Sequence, residues 1–390
     1  MTRLHTFRFS LFCSLLVAFL SSNCFAQQPA SRVVDLSAAD GTKLKATYFG
    51  ASKPGPGVLL LHQCNRQRKI WDGLAQQLAS AGLNVLTLDL RGFGESGGTP
   101  IDKATPQEAQ AEGNQWPSDI DIAFQYLQSQ NGVNREAIGV GGASCGVNNA
   151  VQAARRHPKE VKSLVLLSGN TDFVGRQFLR QAANLPLLAS VAEDDEFRPS
   201  IDSTKLLFVI STYPNKRFAS YETGGHGADM FPTHPELRTM IVDWYVNTLM
   251  KTPGRAPASK ETWTATPQVE MLNIIDQAGG PSQAAQKLAE ARKSNPKAEL
   301  FNEALVNVMG YEHMQNGDTK GAVEILKLNA TAFPNSPNVY DSLSDAYLAD
   351  GQKELSRENA KKALEALASD TADPEARRNA IRDSAQQKLK

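Results

Sequence analysis

The sequence predicts an α/β fold built on a mostly parallel, doubly wound sheet, followed by an all-α segment. Three observations predict it. Between residues 32 and 241, short apolar runs alternate with amphipathic stretches, the pattern of strands covered on both faces by crossover helices. At 252–259 the stretch TPGRAPAS brings together the proline, glycine and small residues typical of a domain boundary. Beyond it the strand pattern stops and helical periodicity continues.

Taken in chain order, the first element is a leader. Arg3 and Arg8 precede an apolar run at 11–20, polar Ser21-Ser22-Asn23, and a small residue, Ala26, before Gln27. A basic start, a short apolar middle and a small residue at a cleavage point predict a secretory signal peptide over 1–26. The run is short for a spanning helix, so an uncleaved anchor is the lesser alternative. The protein is therefore expected to be exported, periplasmic or secreted, with no stable membrane insertion after cleavage.

A hairpin is expected from 33–36 and 44–49, joined through Ala39-Asp40-Gly41. Continuous apolar runs predict strands at 57–62 (GVLLLH), 84–90 (NVLTLDL), 137–143 (AIGVGGA), 161–168 (VKSLVLLS), 186–192 (PLLASVA) and 217–222 (RFASYE). Helices are expected at 70–83, with Trp71, Leu74, Ala75 and Leu78 on one face, and at 116–127, 145–156 and 235–249. This places an α/β domain over 27–252, a linker over 253–265 and a helical domain over 266–390.

The tail carries a repeat. Gly310, His313, Gly317, Ala322, Leu326 and Pro334 recur 34 residues later as Ser344, Tyr347, Gly351, Ser356, Ala360 and Ala368. Small residues at that period resemble tetratricopeptide repeats, a helix-turn-helix array; a plain helical bundle is the alternative. A weaker helix pair at 269–295 is expected to cap the array. Such a tail suggests docking of a protein or peptide partner, or merely a cover for apolar surface.

The 390 residues are 41% hydrophobic and 21% charged, with zero formal net charge. That permits a full core and gives no basic footprint for nucleic acid or an anionic membrane. Four cysteines occur; cleavage after Ala26 would leave Cys64 and Cys145. No CxxC or HExxH spacing appears, so no metal and no cofactor is expected.

The chemistry centres on GGASCG at 141–146. A nucleophile on a strand-to-helix elbow needs glycines two residues before and two after it. Ser144 has Gly142 and Gly146 there; Cys145 has Ala143 and Val147. Ser144 is therefore the candidate nucleophile. A serine hydroxyl needs a base within reach and an acid to orient that base. Downstream acids stand in AEDDEFRP at 192–199, with Asp194 and Asp195 as alternatives and Asp172 as a more distant one. The base candidate is His226 in YETGGHG, whose glycines permit the loop to bring the ring toward Ser144.

LLLH, LDLRGFGESGG, GGASCG, AEDD and GGHG together resemble the α/β-hydrolase superfamily over about residues 32–250. With no long insertion after 161–168, the chain is most similar to the dienelactone hydrolase-like branch, although dienelactone hydrolases proper use a cysteine where this chain has Ser144. The resemblance implies Asp195 as the triad acid, from its place in the loop after the strand. It implies an oxyanion hole made by the backbone N–H of Cys145 and a second N–H after the first parallel strand, at Cys64 with Gln63 as rival. The family has His-Gly where this chain has His62-Gln63. Asp89 and Arg91 of DLRGFGES read as local structural bonds. Because both predicted oxyanion residues are cysteines, a disulfide fixing the hole after export is the lesser alternative to two free thiols.

The expected activity is that of an exported serine hydrolase, an esterase acting on a small-molecule ester, thioester or lactone through an acyl-enzyme. The alternatives are an inactive hydrolase-like binding or scaffold protein, and an acyltransferase using the same three residues.

Overall fold

The described residues of the computed structural model are Met1, 31–258, 263–371 and 373–390; apart from Met1, the predicted leader at 1–26 lies outside them. β1 (Ser31–Ser37) and β2 (Lys43–Phe49) form the expected hairpin, with Leu36 opposite Leu44. The remaining strands are β3 (Gly55–Leu61), β4 (Asn84–Leu88), β5 (Val133–Ala143), β6 (Val161–Leu167), β7 (Leu187–Ala192) and β8 (Arg217–Tyr221). Together they make one eight-stranded sheet in the order β1-β2-β4-β3-β5-β6-β7-β8. β1–β2 and β2–β4 are antiparallel, and all later pairings are parallel.

Strand side chains alternate between the two faces. From β3, Leu59 and Leu61 enter one core and Val58 and Leu60 the other. The first core is closed by α3 (Trp116–Ser129), α4 (Cys145–Arg156), α5 (Phe173–Gln181) and α6 (Pro199–Ile210), through Phe124, Val147, Leu179 and Leu207. The second is closed by α1 (Asp72–Ser80) and α7 (Pro235–Tyr245), through Leu74, Leu78, Ile241 and Trp244. α2 (Pro106–Gly113) is capped by Thr105, whose side chain accepts from the Glu108 N–H.

Several boundaries differ from the sequence reading. Residues 70–83 divide into a 3₁₀ turn, Arg68–Trp71, and α1, which stops at Ser80. Residues 235–249 are α-helical only to Tyr245 and continue as a π-helix over Val246–Lys251. The strand at 84–90 ends at Leu88, because Asp89 turns into the loop that it organises.

The tail holds α8 (Pro267–Ile275), α9 (Gly280–Ser294), α10 (Glu303–Gln315), α11 (Thr319–Ala332), α12 (Pro337–Ala349), α13 (Lys353–Ser369) and α14 (Glu375–Leu389). The pair α12–α13 starts 34 residues after the pair α10–α11, at 337 against 303 and 353 against 319. The tail is not a separate body on a tether. Val269, Leu272 and Ile275 of α8 join the same apolar core as Leu206 and Ile210 of α6. Trp263, within the expected linker, packs its ring on Phe218 at 5.0 Å and Phe208 at 5.8 Å. At the seam, Arg176 of α5 is buried between Asp276 and Glu312, and Arg180 also reaches Asp276.

Candidate active site

Ser144 sits between β5 and α4 with φ 53° and ψ −122°. Ser144 and Ser168 are the non-glycine residues with positive φ among the described residues. Holding a serine in that region costs on the order of 1–3 kcal/mol and survives only where the surroundings enforce it. The flanking glycines supply the room. A Cβ on Gly142 would collide with the Gly146 carbonyl, and one on Gly146 with the Leu61 carbonyl. The start of α4 is thereby pressed against the end of β3. Ser144 is half-buried, at the positive end of the α4 dipole.

Asp195 and His226 meet. Asp195 is 0% exposed and His226 2%; His226 Nδ1 lies 2.8 Å from Asp195 Oδ2 and 3.0 Å from Oδ1. The Phe197 N–H also donates to Asp195 Oδ1, at 2.8 Å. The loop of His226 abuts the strand end that carries the serine, since a Cβ on Gly227 would stand 3.2 Å from that of Ala143. The other acids do different work. Asp194 is exposed and accepts the Gly225 N–H at 2.9 Å, a bond that holds its carboxyl below the usual carboxylate range. Asp172 caps α5 by accepting from the Gly175 N–H. His157 and His234 are engaged elsewhere, by Asp121 and by Thr223 with Glu236.

Cys64 and Cys145 are joined by a disulfide, with their Cα atoms 5.8 Å apart. Among the described residues no protein group accepts from the N–H of either cysteine, so both amides are free to bind something else. For Cys145 this follows from its place in the first turn of a helix, where N–H groups have no partner within the helix.

Gln63 is fully buried and bonded at both ends of its amide. Its Nε2 donates to the His226 carbonyl at 3.3 Å, to Asp229 Oδ2 and to Asn65 Oδ1, while its Oε1 accepts the Ala228 N–H at 2.9 Å. The sequence singled this residue out only as a rival backbone donor, and its side-chain role as a clamp on the His226 loop was missed. The one available signal was a glutamine in place of the expected glycine. His62, behind it, donates from Nδ1 to the Gln63 carbonyl and accepts the Leu90 N–H on Nε2. Burial pushes its imidazole toward the neutral form, as the accepting Nε2 requires.

The DLRGFGES loop is structural as expected. Asp89 pairs with buried Arg68 and accepts the Glu95 N–H, and Arg91 bridges Asp119 and Asp40. Two cavities flank the disulfide. One of about 650 Å³ is walled by Cys145, Asn148, Gln152 and Trp116; the other, about 560 Å³, by Cys64, Phe93, Pro100 and Ile101. Phe197 is 49% exposed, with its ring 4.6 Å from that of His226; no sequence signal marks it. No group of three or more His, Cys, Asp or Glu residues able to hold a metal occurs among the described residues, and no helix there is long and apolar enough to cross a membrane.

Residues 56–190 match the model of the alpha/beta hydrolase fold family. Thiohydrolase aneE of Aspergillus aculeatus is 32% identical over 124 residues, 31% of this chain and 36% of that protein. An uncharacterized protein of Mycobacterium tuberculosis is 31% identical over 132 residues, 33% of this chain and 43% of that one. The chain thus spans less than half the length of these relatives. Among solved structures, a dienelactone hydrolase from Anabaena variabilis is 20% identical, covering 56% of this chain and 98% of its own, at a TM-score of 0.44. An esterase of Pyrococcus furiosus is 16% identical, covering 57% and 92%, at a TM-score of 0.45. The eight-stranded sheet with its covering helices is an α/β-hydrolase fold followed by a helical region, and residues 56–190 carry the match to that family.

Proposed function

We propose that the protein is a serine hydrolase that cleaves an ester, thioester or lactone, with Ser144 as nucleophile, His226 as base and Asp195 as the acid that orients the base. The observation that carries this reading is the buried Asp195–His226 pair, on a loop packed against the strand end that presents Ser144 in a strained elbow. In this mechanism Asp195 holds the proton on Nδ1, leaving Nε2 to take the Ser144 proton as the hydroxyl attacks the carbonyl. The Cys145 and Cys64 amides receive the developing oxyanion. His226 then protonates the leaving group, and water releases the acyl group by the same proton path.

The thiohydrolase among the relatives supports keeping thioesters beside carboxylic esters. Within the same proposal, residues 1–26 are a leader that exports the chain, 27–252 the hydrolase domain, 253–265 the linker and 266–390 a tetratricopeptide-like domain available to a protein or peptide. The 34-residue offset between helix pairs supports the last of these.

A panel of chromogenic esters and thioesters of increasing acyl size, run with wild type and Ser144→Ala, tests the central proposal. At least one substrate should be turned over, with the variant slower by about 10³-fold or more. Equal rates in both would refute the mechanism. Turnover only with added alcohol or amine would mark an acyltransferase, and no turnover together with an unreactive Ser144 would mark a binding protein.

A further inference from the structure

We infer that the Cys64–Cys145 disulfide is a positioning element of the oxyanion hole, so that full activity requires its oxidative closure. The inference rests on the serine hydrolase reading above and adds a part that the three catalytic residues do not need.

The bridge joins two segments 81 residues apart in sequence at one place. One end is Cys145, the residue after Ser144; the other is Cys64, two residues beyond His62 at the exit of β3. Both residues leave their backbone N–H unspent among the described residues. The backbone at 61–62 packs directly on Gly146 of the elbow, but the holds on the residues that follow act from different directions. His62 fixes the Gln63 carbonyl, and the Gln63 side chain reaches to the loop at 226–229. None of these bonds ties the residue-64 backbone to the elbow; the disulfide does. An oxyanion hole depends on donors held in advance, 2.7–3.1 Å from the position that the oxyanion will occupy. A cross-link between the two donor residues limits their separation directly.

The bridge is also within reach of reagents. Both cysteines are half-buried, and each lines a different one of the two cavities beside the elbow. A small dithiol can therefore reduce it: two electrons and two protons pass to the cysteines, giving two thiols, and the dithiol closes to its own cyclic disulfide. With export as proposed, closure of the bridge coincides with arrival in an oxidising compartment.

The test uses the full chain and the best ester from the panel. Steady-state kinetics are measured for oxidised wild type, wild type held in dithiothreitol, and the Cys64→Ala/Cys145→Ala double variant, each normalised to its folded fraction from circular dichroism. The expected result is a fall in kcat of about tenfold or more with KM within about twofold, in both the reduced protein and the double variant. This is less than the 10²–10³ lost when an oxyanion donor is removed outright. Dithiothreitol should not affect the double variant, and reoxidation should restore wild type. If the double variant fails to fold, the reduced wild type decides. A kcat that stays within twofold on reduction, or that falls only in proportion to the folded fraction, overturns the inference. If Ser144→Ala retains activity, it is the hydrolase reading that fails, whatever the cysteines do.

Discussion

Of the acids at 193–196, Asp195 is buried and the others are exposed. Its carboxylate accepts from both His226 Nδ1 and the Phe197 N–H. That arrangement fixes one tautomer of the imidazole, and losing it is costly even when the side-chain shape is kept. Asp195→Asn should lower kcat by about 10³–10⁴-fold, whereas Asp194→Asn, which loses an exposed bond to Gly225, should change it far less; steady-state kinetics on the two variants checks both. The glycine frame of Ser144 and the glycine-rich loop of His226 were legible in the sequence, whereas Asp195, which the structure pairs with His226, was separated from Asp194 only by the family resemblance. Gln63 and Phe197 were not legible. Their roles depend on which loops meet in space, and a lone glutamine or phenylalanine in a loop carries no such information.

The elbow is the element on which the site depends. α4 begins and ends where the sequence placed it, at Cys145–Arg156, since its small apolar face and glycine start leave little choice. Gly142→Ala would drive a methyl group into the Gly146 carbonyl. Forcing atoms into a packed turn costs about 1–3 kcal/mol, so the variant should unfold at lower denaturant and lose activity together, a pairing that chemical denaturation and kinetics will read. Other elements were missed for physical reasons. α6 contains the run KLLFVI and is buried on nearly every side between the sheet and α8. A helix apolar all round has no amphipathic period to detect. α2 buries no residue at all, so its only sequence mark is the Thr105 cap. The π-helix after Tyr245 continues an ordinary helical pattern, and nothing in its residues announces the change of winding.

At the scale of the molecule, the helical region is bound to the hydrolase fold by a charged seam as well as by apolar contact. Arg176 is fully buried, with Asp276 and Glu312 as partners and the Thr171 carbonyl as a further acceptor. Glu312 also accepts from Asn170, two residues after Ser168 at the exit of β6. Arg176→Met would take from Glu312 its cationic partner and leave buried Asp276 only Arg180 and His313, at a cost of about 3–5 kcal/mol, measurable by urea unfolding of the full chain. Burial raises the Asp276 pKa, but Arg176, His313 and Arg180 outweigh it and bring the carboxyl down to about 2. Because this value lies below the ordinary 3.8, the stability Asp276 contributes is complete above about pH 4 and is lost as pH falls toward 2. Glu312 shifts the opposite way through burial, so the slope belonging to Asp276 is isolated by comparison with Asp276→Asn, which should lack it in acid unfolding curves. The seam was not legible in the sequence. The linker motif at 252–259 suggested separation, and no local pattern foretells that Trp263 and α8 fold back onto α6.

The central claim is that Ser144 is an activated nucleophile, and covalent labelling measures that property without knowledge of the substrate. Folded wild-type protein treated with a fluorophosphonate probe should carry one adduct, located by peptide mass on Ser144, with labelling slowed by at least about 10²-fold in His226→Ala. A folded wild type that is not labelled, or is labelled at the same rate without His226, would contradict the account.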